Sequence, residues 1–443
     1  MTNRRNFLKQ SLLTGAGLVA MPNLAMPNLL SAASQKPAPS DQIKIGLIGC
    51  NGMGFNDLQS FLKNKECECI AIADVDRNVL DRRKAAIEKQ QETKVTGYDD
   101  WRRLIDNKDV NVVIIGTPDH WHCHQLVAAC QAGKDVYVEK PIGTTIAECD
   151  LMVRAAQRYN TVVQVGQWQR SAPHWKAAVD YIHSGKLGKI RIVRVFAYLG
   201  WVGEVPVKPD SDVPAGVDYD MWLGPAPLRP FNPNRFHFNF RWFWDYAGGL
   251  MTDWGVHLLD YALYGMNQST PKSIMAMGGK FGYPQDACET PDSLHTLYEF
   301  DDFTILWEHG IGISDGGYGR EHGVAFIGQN GILIVDRGGW EVIPETTNSQ
   351  TKLEKFSYKL TANEPNGLDL HTQNHLDCIR RRDRNTNASI EIGSHICKFS
   401  ALGNVAYRTG KKLFWNGSRF TNDDPANTFL TKEYRNPWPL PSF

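Results

Sequence analysis

The sequence predicts an α/β protein whose N-terminal part is a doubly wound parallel sheet and whose remainder forms a second, larger unit. Two observations carry the first half of that reading. Short apolar segments alternate with helix-like segments between residues 43 and 165, the pitch at which strand and helix build parallel βαβ units. A glycine cluster follows the first apolar segment at once, where such sheets turn from strand into helix. Length carries the second half, because 443 residues exceed a single domain of roughly 150 and suggest two or three. The chain is 42% hydrophobic and 22% charged, an ordinary globular composition that excludes wholesale disorder, collagen and coiled coil.

Forty-eight basic residues balance forty-eight acidic ones. A net charge of zero supplies no basic footprint for a phosphate backbone and argues against nucleic-acid binding. Nine cysteines without a CxxC pair form neither a disulfide framework nor a zinc ribbon.

Residues 1–33 differ in kind from the rest of the chain. Asn3-Arg4-Arg5-Asn6-Phe7-Leu8-Lys9 has the form of a twin-arginine signal, a mild apolar run covers 11–20, and Ser31-Ala32-Ala33 offers a cleavage site. We expect a signal peptide over 1–33 and a linker over 34–42, hence an exported, periplasmic protein carried folded by the twin-arginine machinery. That route suits a chain that acquires a cofactor before crossing, and it lets cysteines arrive as buried thiols. No later segment approaches the 18 uninterrupted apolar residues of a membrane span.

The first strand is expected over 43–48. Gly49-Cys50-Asn51-Gly52-Met53-Gly54 then leads into a helix over 55–62, so Gly49, Asn51, Gly52, Met53 and Gly54 are candidates for cradling a pyrophosphate at a helix N-terminus. Asn51 stands where GxGxxG has its second glycine. A second strand over 69–73 ends in Asp74, 20 residues after Gly54, the spacing of the carboxylate that holds an adenosine ribose. Asp74 favours NAD over NADP, Arg77 keeps NADP open, and a cap on the helix expected over 79–90 is an equal reading of Asp74.

Strands over 110–115 and 135–138 come next. The first delivers Thr117-Pro118-Asp119-His120-Trp121-His122-Cys123-His124 at its carboxyl end, where ligands of such sheets bind. Only His120 and His124 would share a helix face, so we expect no metal, and assign Thr117, Pro118, His120 and His122 to the nicotinamide half of a cofactor.

The strand over 135–138 runs into Glu139-Lys140-Pro141. Together with Gly116-Thr117-Pro118-Asp119-His120-Trp121-His122 and the later Gly248-Gly249-Leu250-Met251-Thr252-Asp253-Trp254-Gly255-Val256-His257, this resembles the Gfo/Idh/MocA oxidoreductases, relatives of glucose-fructose oxidoreductase and inositol dehydrogenase. The resemblance runs from about Ile43 to about Trp438. It implies a Rossmann NAD(P)-binding domain over 43–165 and, over 166–443, a C-terminal α/β domain for substrate and oligomer contacts, built on a large, open, mainly antiparallel sheet and closed by helices within 370–413. It also implies tightly bound NAD, a homo-oligomer (dimer or tetramer), contact of Glu139, Lys140 and Gln167 with the cofactor, and a cis bond before Pro141.

Oxidising a secondary alcohol needs a proton acceptor, a donor to the reacting oxygen and a nicotinamide within reach. The resemblance assigns the oxygen to Lys140, the proton to His257 and an orienting role to Asp253. Asp253 and His257 are spaced i, i+4, so on one continuous helix both would project from one face. Between 221 and 261 stand Trp222, Trp242, Trp244 and Trp254, four tryptophans where composition predicts roughly one, mixed with Arg235, His237, Arg241 and Asp245. We read Arg235, Arg241, Trp242 and Trp244, with Asp253 and His257, as a sugar-binding wall of stacking rings and hydroxyl donors. Gln169 and Arg170, after a strand over 161–165, are further cleft candidates.

The expected activity is hydride transfer between a nicotinamide and a secondary hydroxyl of a sugar, glycoside or polyol, with C3 of a glucoside as one candidate position. One alternative is an NAD-dependent glycosidase using transient C3 oxidation and elimination. The resemblance weighs against it, because the N-acetylgalactosaminidase branch lacks the Glu-Lys-Pro lysine and has a Thr-His-Gly type motif where this chain has Thr252-Asp253-Trp254-Gly255. A non-catalytic sugar-binding protein on the same fold is the other.

Overall fold

A computed structural model of the protein describes residues 42–268 and 270–443. The expected signal peptide and all but the last residue of the linker lie outside the described residues.

The first domain alternates β1 (Ile43–Ile48), α1 (Gly52–Phe61), β2 (Cys67–Ala73), α2 (Arg77–Gln91), β3 (Thr96–Tyr98), α3 (Trp101–Ile105), β4 (Val112–Ile115), α4 (His122–Gln131), β5 (Asp135–Val138), α5 (Ile146–Arg158) and β6 (Val163–Val165). Its six strands are parallel in the order β3-β2-β1-β4-β5-β6. Every residue of β4 and β5 is buried, as expected where helices cover both faces of a sheet. Thr145 and Glu148 close a reciprocal capping box on α5, which fixes the chain directly after Pro141. Strand β3 escapes the sequence reading because Thr-Gly-Tyr carries no apolar run and sits half in water at the sheet edge.

After α6 (Pro173–His183) the second sheet assembles from β7 (Ile190–Leu199), followed beyond α7 (Tyr219–Leu223), α8 (Gly249–Asp253) and α9 (Gly255–Met266) by β8 (Ser273–Gly279), β9 (Ser293–Glu299), β10 (Thr304–Ile311), β11 (His322–Gly328), β12 (Gly331–Asp336), β13 (Gly339–Pro344) and β14 (Phe356–Lys359). The two-residue β15 (Leu413–Phe414) completes nine strands in the order β14-β13-β12-β11-β7-β10-β9-β8-β15. All neighbouring pairs are antiparallel except β7 with β10. This is the large, mainly antiparallel sheet that the resemblance implies. Alternating burial along β8 and β9 marks a sheet covered on one face. Helices α6 and α9 take that face, with α11 (Ile390–Thr409) lying on β8.

The chain then returns to the first domain. Helix α10 (Gly367–Arg381) packs on α1 and α11 packs on α5, while Trp438 sets its ring against Trp101 and Trp121. All nine cysteines are free thiols. Among the described residues no helix is long and apolar enough to cross a membrane.

Candidate active site

Two cavities meet between the domains. The first, of about 410 Å³, lies at the carboxyl ends of the parallel strands and is lined by Gly49, Asn51, Gly52, Met53, Asp74, Thr117, Pro118, His122, Glu139 and Lys140, ten of the residues expected to hold a cofactor. Gly49 has φ +83°, a conformation that L side chains rarely adopt. Gly54 stays out of the lining, since its role is packing. A Cβ there would lie 2.4 Å from the Gly49 carbonyl oxygen, so its missing side chain lets α1 approach the end of β4.

Three observations fit a dinucleotide here. Asn51, the N-cap of α1, makes no side-chain cap bond, and the first turn carries no acid, so amides and helix dipole are left for an anion. A Cβ on Gly52 would meet nothing within 4 Å, leaving room where a pyrophosphate would run. Asp74 stands at the far end, its carboxylate accepting from the Cys50 amide at 2.8 Å and the Asp76 amide at 3.0 Å. The cap on α2 is Asp76, so the capping role weighed for Asp74 falls to its neighbour. Asn51 itself is extended, with φ −99° and ψ 166°, so the departure from the glycine pattern needs no left-handed backbone.

The second domain roofs this cavity. Met221, Trp222, Phe236, His237, Phe238 and Phe240 also line it, and His237 Nε2 reaches Asp76 Oδ2 at 3.1 Å across the opening. Asp119 also faces in, and burial pushes its carboxyl up to about 8, so near neutral pH it is largely protonated.

The second cavity, about 770 Å³, shares Met53, Asn56, Glu139, Lys140 and Arg241 with the first and continues past His257, Trp254 and Trp168. Lys140 and His257 therefore stand in one continuous cleft. Lys140 Nζ donates to Asp253 Oδ1 at 2.8 Å and to the Asp253 carbonyl at 3.0 Å. Arg241 Nε lies 3.3 Å from the same Oδ1. Despite the cost of burial, the charges of Lys140 and then Arg241 hold the Asp253 carboxyl well below the ordinary range. Burial, then Lys140, then Arg337 hold His257 well below its ordinary value, so its imidazole is neutral and able to accept a proton. His257 Nδ1 is buried without a protein partner.

The expectation of one continuous helix from Asp253 to His257 is corrected. Helices α8 and α9 are separated at Trp254, and the His257 amide bonds the Trp254 carbonyl. An unbroken helix would spend the Asp253 carbonyl on the His257 amide, whereas the break leaves it to Lys140. The Lys140-Pro141 bond is cis.

Several expected site residues are placed elsewhere. His120 is fully buried against Trp222 and Tyr246, its Nε2 donating to the Trp222 carbonyl, so it supports the roof without lining the cavity. Arg77 lies outside the lining and pairs with Asp81 at 3.5 Å. Gln167 spends its amide on the Val256 carbonyl, bracing α9. Gln169 is buried but lines neither cavity. Arg170 makes a two-pronged pair with Asp260 at 2.5 and 2.6 Å, and Arg235 bonds the Pro230 carbonyl. Trp242 is core, and Trp244 donates to the Glu289 carbonyl. Gln167, Arg170, Arg235 and Trp244 bond partners inside the protein, and residue type alone does not separate such a group from one turned to a ligand. Of the tryptophans, Trp222 lines the first cavity and Trp254 the second. Trp168, His174, Asn56 and Arg337 also line the second, and nothing in their local sequence marks them. Asp119 could have been found, since it lies inside the stretch that drew attention to its histidines. His120, His122 and His124 each bond different backbone carbonyls, and no cluster of metal-ligating groups occurs among the described residues.

A six-stranded parallel sheet with a glycine-cradled cavity, closed by a mixed sheet that carries a lysine, aspartate and histidine, defines a Rossmann-type oxidoreductase. Residues 43–167 match the family model "Oxidoreductase family, NAD-binding Rossmann fold" and residues 182–440 "Oxidoreductase family, C-terminal alpha/beta domain". The chain belongs to the Gfo/Idh/MocA oxidoreductase family, and its first domain is an NAD-binding Rossmann domain. Over 171 residues it is 35% identical to a glycosyl hydrolase family 109 protein of Shewanella baltica, and 33% identical to an alpha-N-acetylgalactosaminidase of Shewanella oneidensis. Each match covers 35% of this chain and 37% of the relative, so the chain spans little more than a third of these relatives' length. Its fold is similar to that of levoglucosan dehydrogenase in complex with NADH and levoglucosan (TM-score 0.64, 17% identity, covering 84% of this chain and 99% of that one). It is likewise similar to aldose-aldose oxidoreductase from Caulobacter crescentus complexed with glycerol (TM-score 0.62, 17% identity, 84% and 100%).

Proposed function

We propose that the protein transfers hydride between NAD and a secondary hydroxyl of a sugar, glycoside or polyol. The observation that carries this reading is the meeting of Lys140, anchored on Asp253, with a neutral His257 in the cleft where the two cavities join. The nicotinamide, when bound, supplies the hydride acceptor. His257 takes the hydroxyl proton, Lys140 Nζ donates a hydrogen bond to the same oxygen, and Asp253 with Arg241 fixes the lysine. Trp254 and Trp168 line the larger cavity, where the indole surface that Arg337 leaves uncovered can meet the apolar side of a sugar. The roof of Phe236, His237 and Phe238 supports slow exchange of the cofactor, and Asp74 beside Asp76 supports NAD over NADP, whose 2′-phosphate would meet negative charge.

The family 109 glycosidase relatives favour a second reading, in which hydride removed from C3 returns after aglycone elimination and nothing is oxidised overall. A nitrophenyl glucoside incubated with the NAD-loaded enzyme separates the two. The dehydrogenase yields keto-glycoside and NADH in equal amounts, whereas nitrophenol without NADH points to the glycosidase and overturns the first reading.

We further infer export by the twin-arginine route, tested by periplasmic accumulation after Arg4→Lys with Arg5→Lys. Assembly as a homo-oligomer through the uncovered sheet face, where Met275, Met277 and Leu297 are exposed, is read by sedimentation.

A further inference from the structure

The larger cavity holds a cation, Arg337, that pairs with no carboxylate within 4 Å among the described residues, the charge of Asp253 acting on it only from farther off. Arg337 occupies the hairpin corner between β12 and β13, and its guanidinium carbon lies 4.6 Å from the ring centre of Trp254 and 5.2 Å from that of Trp168. It lines the cavity together with His257. Its Nε is buried without a hydrogen-bond partner, and the nearby carboxylates Asp336 and Glu341 pair with Arg320 in its place. Its neighbours are treated differently. Arg170 reaches Asp260, Arg241 reaches Asp253, and Arg320 reaches Asp336 and Glu341.

The corner is built to hold Arg337 in place. Asp336, one residue earlier, pairs with Arg320, accepts from the Gly338 amide at 2.7 Å, and offers its carbonyl to His174 Nε2 at 3.1 Å. His322, packed on Trp254 with ring centres 4.9 Å apart, leaves both ring nitrogens buried and unpartnered. Withdrawing part of a guanidinium from water without a carboxylate is costly, and two ring faces offset that cost only in part. A planar fork held in a cavity matches a planar carboxylate by two parallel bonds.

We propose that Arg337 is a specificity residue for a carboxylate carried by the substrate, so that the cleft takes an acidic carbohydrate, a sugar acid or a uronoside. This rests on reading the cleft as a carbohydrate oxidoreductase site. The arrangement also ties recognition to chemistry, because the charge of Arg337 is one of those depressing His257, and a bound carboxylate would offset it.

Binding tests this without turnover. The enzyme loaded with NADH, which cannot accept hydride from a hydroxyl, is titrated by calorimetry with paired probes: methyl glucoside against methyl glucuronoside, methyl galactoside against methyl galacturonoside, glucose against gluconate. At least one acid should bind tenfold or more tighter than its neutral partner. Arg337→Gln should level that pair, and Arg337→Lys should retain part of the preference. A panel in which no acid outbinds its neutral partner, whether or not either binds, overturns the proposal, as does a preference that survives Arg337→Gln. Acid preference through Arg337 without hydride transfer or aglycone release would sink the proposed activity and leave this inference standing. Oxidation of neutral glycosides with no acid preference would do the reverse.

Discussion

The two cavities that meet at Lys140 are made of different material. The first is built by backbone. Its shape comes from a turn that only Gly49 adopts easily, from the bare first turn of α1, and from the close approach of Gly54 to the end of β4. The second is built by side chains from segments far apart in sequence, Trp168, Trp254 and Arg337 among them. A backbone site can be written in one short stretch of sequence, whereas a side-chain site exists only once the chain has folded. The cofactor is therefore fixed by family geometry, while the substrate is left to residues that can change without disturbing the fold.

The widest separation between the halves is expected at their boundary. Lys140→Ala and His257→Ala should each lower the single-turnover rate of hydride transfer by roughly 10²-fold or more, the range of general acid–base groups, with NAD affinity nearly unchanged. NADH absorbance after rapid mixing gives the rate, and calorimetric titration with NAD gives the affinity. Equal losses in both would mean that these side chains act through cofactor binding alone.

Gly54→Ala should act the other way. A methyl group 2.4 Å from a backbone oxygen forces the N-terminus of α1 to move, at a cost of about 1–3 kcal/mol for overpacking. The first-turn amides of α1, left free for an anion, move with it. NAD affinity should fall by some tens-fold, and thermal unfolding should show lost stability even without NAD. Tight NAD binding with a lowered Tm would assign Gly54 to packing alone.

This division explains what could be read in advance. The strands around β1, β4 and β5 were legible because parallel buried strands are continuous apolar runs, and the glycine loop because its pattern is local. The edge strand β3 was not, having almost no apolar signal. Lys140, Asp253 and His257 were legible through short motifs, yet the break at Trp254 that frees the Asp253 carbonyl for Lys140 leaves no trace in residue spacing. The substrate wall was the least legible part. Arg170, Arg235 and Trp244 have the right chemistry for sugar binding but spend it on Asp260, Pro230 and Glu289, partners whose proximity depends on the fold.

A smaller effect sharpens the cofactor side. On the reading proposed above, Asp74→Ala removes an acceptor for the adenosine ribose and the charge that opposes a 2′-phosphate, so the preference for NAD over NADP should fall about tenfold, or about 1.4 kcal/mol. Asp76 remains beside it and keeps the preference from reversing. Titrations with the two cofactors give the ratio, and an unchanged ratio would place the adenosine away from the end of β2.

The smallest effects separate tryptophans that composition could not. Trp254 faces the larger cavity and forms one of the two ring faces against Arg337, while Trp244 lies outside both cavities, its Nε1 bonded to the Glu289 carbonyl at 3.1 Å and its ring 5.0 Å from the Arg408 guanidinium. Trp254→Phe keeps an aromatic face but narrows it, so substrate KM should rise severalfold while kcat changes less, since no proton passes through that ring. Trp244→Phe deletes one internal hydrogen bond, worth about 1 kcal/mol of stability, and should leave KM within about twofold. Measuring both variants against the same substrate makes the comparison internal, because each loses the same indole atoms. A larger KM effect at Trp244 than at Trp254 would mean that sugar binds on the Glu289 side of the domain, and would dissolve the distinction between tryptophans that hold the fold and tryptophans that hold the substrate.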